Sequence, residues 1–293
     1  MNRAIILITA ALLAVPAHAV NVLTSIKPIQ MIATELTVGV TSPHLLVHAN
    51  ASPHDYALRP SDVKKINQAD LIVWYGRDLE PFLEKILADK ANTLTLSSIP
   101  QLALREFGSE HNHDHDGHEH GMHDPHFWLG IEPTLQVAHA LAEELAKVDP
   151  ANAQRYQVNL EKFEHQLMLT DSAIKTQLAP VRQRGYFVFH DAYGYFEDRY
   201  QMTNLGHFTV SPDRKPGAKT LIRIRKALSE EEVACVFAEP QFTPAIVDSV
   251  MRGSQAGRGT LDPLGSQLEV APGSYFRLLH DMADSLSQCL SDE

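Results

Sequence analysis

Between Pro150 and Pro180 the chain runs from Ala151 to Ala179 without a glycine or a proline. Proline removes a helix donor and glycine adds backbone entropy, so a stretch lacking both leaves a helix available throughout. Its apolar residues Tyr156, Leu160, Phe163, Leu167, Ile174 and Leu178 follow at steps of four, three, four, seven and four. That spacing draws one stripe along a single amphipathic helix, with Asp149 as its cap and Pro150 at its first position. The unbroken spacing favours one helix over two with a break near Thr170–Ser172. At about 1.5 Å per residue it would be roughly 40 Å long, enough to run beside two lobes.

Short apolar runs alternate with helix-period segments on both sides of this stretch. Before it, strands are expected at Val22–Ile26, Leu71–Tyr75 and Thr93–Leu96. Helices are expected at about Ile29–Thr37, after a Ser61 cap, at about Leu79–Ala88 and over Pro133–Lys147. After it come strands at Tyr186–His190 and Val233–Glu239, with helices at Tyr193–Tyr200, Leu221–Leu228, Ala245–Arg252 and about Ser274–Leu290. Strands alternating with helices indicate parallel sheets, and here the alternation occurs twice. The fold class is therefore α/β. It comprises an N-terminal lobe over 20–148, the linking helix over 149–180 and a C-terminal lobe over 181–293, joined by one long rigid helix.

The first 19 residues carry Arg3, an apolar run from Ala4 to Val15 and the triplet Ala17-His18-Ala19. This is the pattern of a signal peptide cut after Ala19, and the run is shorter than the roughly 20 residues of a membrane-spanning helix. Removal of Arg3 takes the charge from −11 to −12. The mature chain is expected to be exported and soluble, with no span of its own. Export makes Cys235 and Cys289, 54 residues apart, a natural disulfide. Closing such a loop adds about 3–4 kcal/mol. The acidic balance argues against a chain-wide nucleic-acid surface.

Histidine is over-represented, at 16 residues. Seven of them, His111, His113, His115, His118, His120, His123 and His126, fall within 111–126, interleaved with acids and with no Lys or Arg. Ser109–Asp124 has no hydrophobic period and is expected to be a mobile loop that captures metal loosely. Three histidines stand in more pointed settings. His54 lies in SPHDYALRPSD, His126 in DPHFWL, and His190 ends the apolar strand YFVFH. Ligands of open parallel sheets bind beyond the carboxyl ends of strands, so all three could converge on the cleft between lobes. Asp262 in TLDPLG and Glu239 in FAEPQF are the carboxylate candidates. Neutral imidazoles with a carboxylate or water suit Zn²⁺. Taken singly, each histidine reads more readily as a loop or hydrogen-bonded residue than as a ligand, and such distant ligands have no diagnostic spacing. No H-E-x-x-H, G-x-S-x-G or phosphate-cradling glycine loop occurs.

The segments SPHDYALRPSDVKKINQADLIVW, DPHFWL, HDAYGYF, FAEPQF and TLDPLG resemble, in order, the motifs of periplasmic zinc-binding proteins of ABC importers. The resemblance covers nearly the whole mature chain. It implies two α/β lobes joined by one long helix, Zn²⁺ in the cleft, and delivery to a membrane permease by a protein expected to be a monomer. It makes His54, His126 and His190 the metal ligands. Relatives carrying Mn²⁺ or Fe²⁺ usually have a carboxylate at the place of His190, and that is the alternative cargo. Some zinc members have a glutamate just before the first histidine, where this chain has Pro53; the fourth ligand is then Asp262 or water, with Asp262 preferred. A His-rich acidic loop and a C-terminal cysteine pair are typical of the zinc branch. A different class, an exported zinc hydrolase with Asp262 or Glu239 as general base, remains as an alternative.

Overall fold

The computed structural model describes residues 19–48, 51–107, 123–210, 215–230, 233–243 and 245–291. The leader up to residue 18 and the tract histidines His111, His113, His115, His118 and His120 lie outside the described residues.

The first sheet contains β1 (Val22–Thr24), β2 (His44–Leu45), β3 (Leu71–Trp74) and β4 (Thr93–Thr95). Its strands are connected through α1 (Lys27–Leu36), α2 (Pro60–Gln68) and α3 (Pro81–Leu87). They pair in parallel in the order β2-β1-β3-β4. Helices α4 (Ile131–Val148) and α5 (Ala153–Leu178) lead to the second sheet of β5 (Tyr186–His190), β6 (Asn204–Thr209), β7 (Cys235–Ala238) and β8 (Gly257–Thr260). These strands are also parallel, in the order β6-β5-β7-β8, so the second lobe repeats the topology of the first. Helices α6 (Gly194–Tyr200), α7 (Ala218–Ser229) and α8 (Ala245–Met251) lie along this half, and α9 (Ser274–Leu290) closes the chain. In each sheet the first strand is where the chain reverses its direction of travel, and crevices open beyond the carboxyl end of such a strand. In the second sheet that strand is β5, which ends at His190.

Every residue of β5 is buried, as expected of a parallel strand covered on both faces. Tyr186 and Val188 enter the main core, while Phe187 and Phe189 pack with Phe208, Ile224 and Val247 on the other side. The main core is continuous between lobes: it holds Val22, Leu71 and Val73 of the first sheet together with Val188 and Phe237 of the second. Helix α5 is uninterrupted, and its stripe of Tyr156, Leu160, Phe163, Leu167, Ile174 and Leu178 is buried against α1, α4 and α9. The lobes are therefore tied by a shared interior as well as by one helix. Polar bonds cross the same boundary: Lys27 Nζ donates to Ser266 O at 3.0 Å, and Trp128 Nε1 to Pro263 O at 2.7 Å.

Local details differ from the sequence expectation. Ser61 does not cap α2. Pro60 stands at the first turn, and Asp62 Oδ2 accepts from Arg59 N and from Tyr56 Oη, each at 2.9 Å. Pro150 begins a 3-10 turn, Pro150–Asn152, ahead of α5. Asp149 there accepts from the Asn152 and Tyr156 side chains instead of capping the backbone. The edge strand β6 was not expected: it is half-buried over Asn204–His207 and shows no apolar run. Cys235 and Cys289 form a disulfide joining the start of β7 to the end of α9. Among the described residues no helix is long and apolar enough to cross a membrane.

Candidate metal centre

Three local structures bring histidines to one point. His54 sits in a 3-10 turn, Pro53–Asp55, preset by Pro53 and fixed where Ser52 Oγ accepts from His54 N at 3.3 Å. His126 immediately precedes the turn Phe127–Leu129, whose three side chains are buried, so the apolar FWL anchor sets the position of the imidazole. His190 is the last residue of β5. Ring centroids are separated by 5.6 Å for His54–His126, 5.9 Å for His54–His190 and 5.2 Å for His126–His190. One nitrogen of each lies within 4.8 Å of the others, the only such group among the described residues. His126 and His190 are buried and His54 is half-buried. The space between them is a cavity of about 10 Å³, walled in part by Pro53, Trp128 and Phe242.

The two buried rings are held by carboxylates on their outer nitrogens. Asp124 Oδ1 accepts from His126 N at 3.0 Å and lies 2.7 Å from His126 Nδ1. Glu239 Oε1 accepts from His190 N at 3.2 Å and lies 2.6 Å from His190 Nδ1. A carboxylate on Nδ1 fixes the tautomer and leaves Nε2 as the free base. The two Nε2 atoms face each other at 3.4 Å. Burial, followed by the neighbouring His190, lowers the His126 imidazole to about 3, so it is neutral at ordinary pH. Burial pushes the Asp124 carboxyl up to about 8, opposed by the His126 N–H and by Arg105. A proton on Asp124 would be donated to Nδ1 and leave hydrogen on Nε2; a cation at Nε2 requires the carboxylate instead.

Asp262 is outside this group. Its Oδ1 accepts from Gln241 Nε2 at 2.7 Å and Leu264 N at 3.2 Å, and its Oδ2 from Ser266 N and Oγ, each at 2.6 Å. These bonds close the turn after β8, and the preference for Asp262 as fourth ligand gains nothing from the geometry. Glu239 is at the centre, but behind His190, with Oε1 engaged on Nδ1. His123, the tract histidine among the described residues, pairs with Glu106 in an antiparallel bridge and is not part of the group. Asp124 was missed in the sequence, where it counted as one more acid of the tract. The available signal was its place two residues before His126, with Pro125 between, where the apolar run begins.

The family profile described as "Zinc-uptake complex component A periplasmic", ZnuA, matches residues 22–289. The high-affinity zinc uptake system protein ZnuA of Yersinia pestis is 41% identical over 305 residues, covering 97% of this chain and 96% of its own. That of Haemophilus ducreyi is 40% identical over 290 residues, covering 92% and 93%. Among solved structures, a zinc-bound deletion mutant of ZnuA superposes with a TM-score of 0.79 at 26% identity, covering 94% of this chain and all of the other. With the profile matched over nearly the whole chain and identities near 40% to full-length relatives, the chain belongs to the ZnuA family.

Proposed function

We propose that this chain is the zinc-binding component of a zinc uptake system. In this reading it is exported to the periplasm by a leader removed after Ala19, and it hands Zn²⁺ to an ABC-type permease as a monomer. His54, His126 and His190 hold the ion through ring nitrogens, and water takes the fourth position. The carrying observation is the 3.4 Å separation of His126 Nε2 and His190 Nε2. Two nitrogens bound tetrahedrally at about 2.0–2.1 Å from one zinc are about 3.3–3.4 Å apart. Three nitrogen donors from the protein also favour Zn²⁺ over Mn²⁺, which prefers oxygen. The hydrolase reading has no support: Asp262 is closed into its own turn, Glu239 stands behind His190 on Nδ1, and the family is one of uptake components. The tract residues His111, His113, His115, His118, His120 and His123 act as auxiliary, weaker ligands.

Titration of the purified mature protein with zinc against a chromogenic chelator tests this. One tight site is expected, outcompeting equimolar Mn²⁺ and abolished in the triple variant His54→Ala, His126→Ala, His190→Ala. Removal of residues 108–122 should eliminate only the weaker sites. Unchanged tight binding in the triple variant would refute the ligand set.

A further inference from the structure

The two ends of the His-rich segment are fastened at one point, and the fastening comes from the other lobe. On the N-terminal side, Asp124 N donates to Arg105 O at 2.8 Å, and Glu106 pairs with His123 in an antiparallel bridge. From α6, the single Tyr195 hydroxyl accepts from Arg105 N at 2.8 Å and donates to Asp124 O at 2.9 Å, so one side chain clasps both ends. The Arg105 side chain spans the same junction. Its Nε donates to Asp198 Oδ2 on α6 at 2.8 Å, and its Nη1 stands 3.6 Å from Asp124 Oδ2. Nη1 and Oδ2 are both buried and have no hydrogen-bond partner, which leaves this charge contact as the balance for the buried carboxylate. The opposite oxygen of Asp124 holds His126. Gly194 is part of the same fit: a Cβ there would fall 2.2–2.5 Å from the Arg105 guanidinium, so only glycine leaves room for the arginine to lie across the start of α6.

We infer that Arg105 is a positioning residue for the histidine centre, acting through Asp124 on His126 and anchoring the base of the His-rich segment to the C-terminal lobe. The inference rests on the proposed ligand set. A buried carboxylate left without its cation loses orientation, and loss of the group orienting a ligating histidine typically weakens metal binding roughly ten- to hundredfold.

The test compares full-length mature variants by zinc competition, by the visible absorption of the Co²⁺-loaded protein, and by the Tm of the metal-free form. Arg105→Ala and Asp124→Asn should each weaken zinc binding roughly ten- to hundredfold and change the Co²⁺ bands, which a merely structural role would not move. The double variant should bind no more weakly than Asp124→Asn alone, because Arg105 acts through that carboxylate. Gly194→Ala, which displaces the guanidinium while keeping its charge, should reproduce the loss and serves as the test should Arg105→Ala not fold. Wild-type affinity and Co²⁺ bands in Arg105→Ala, beside lost binding in His126→Ala, would overturn this inference alone. Effects that multiply in the double variant would overturn it too. Wild-type affinity in His126→Ala would instead remove the ligand set on which it rests.

Discussion

His126 and Asp124 share a short contact in which burial disfavours charge on either partner. With the carboxyl pushed up to about 8, the pair holds a proton at pH 7, and zinc at Nε2 has to expel it. The sign follows: affinity rises with pH as the carboxyl ionises, and falls as pH drops below about 8. Calorimetric titration in buffers of different ionisation enthalpy should detect proton release from this pair at pH 7. Asp124→Asn should remove that proton and flatten the dependence of affinity between pH 7 and 8. An unchanged slope in the variant would assign the proton elsewhere. The individual ligands were legible as unusual histidines in loop or strand-end settings. Glu239 was legible as a strand-end carboxylate, but its place on His190 was not, because a hydrogen bond between residues 190 and 239 leaves no local pattern.

At the scale of elements, the stripe on α5 distinguishes inward from outward positions within two residues. Leu167 is fully buried and Leu169 is 51% exposed. Leu167→Ala removes packed volume and should cost about 2–5 kcal/mol in chemical denaturation. Leu169→Ala should stay within about 0.5 kcal/mol. Equal effects would mean that the stripe does not face the core. Elements with a strong period, such as α5, β5 and α9, were readable from the chain because their side-chain pattern repeats what the interior demands. The edge strand β6 was not, since its backbone bonds to a neighbour depend on a partner strand and not on its own composition. The start of α2 precedes Ser61: Pro60 opens the helix, and Asp62, pinned also by Tyr56, accepts from Arg59 N.

For the whole molecule, the continuous interior beneath both sheets predicts that the lobes unfold together. Calorimetry of the metal-free protein should give one transition with calorimetric and van't Hoff enthalpies in agreement. Two resolved transitions would show that the lobes have separate cores. Packing of α9 back onto α1 and α5, with the Trp128–Pro263 and Lys27–Ser266 bonds, also limits motion at the cleft. Small adjustments at the histidines fit such a body better than wide hinge closure.

By itself, the sequence determined the layer architecture, the long helix, the cysteine pairing and the three histidines worth watching. Each of these is written in local periodicity, in compartment chemistry or in a motif. Only the tertiary structure decided which groups stand together. It closed Asp262 into its own turn, put Asp124 and Glu239 behind the imidazoles, and laid Arg105 across the lobes. The physical reason is that hydrogen bonds and ion pairs act over about 3–4 Å in space, whatever the distance along the chain. The conspicuous histidine tract announced a metal protein, but the cleft is defined by residues that fold together from 54, 126 and 190.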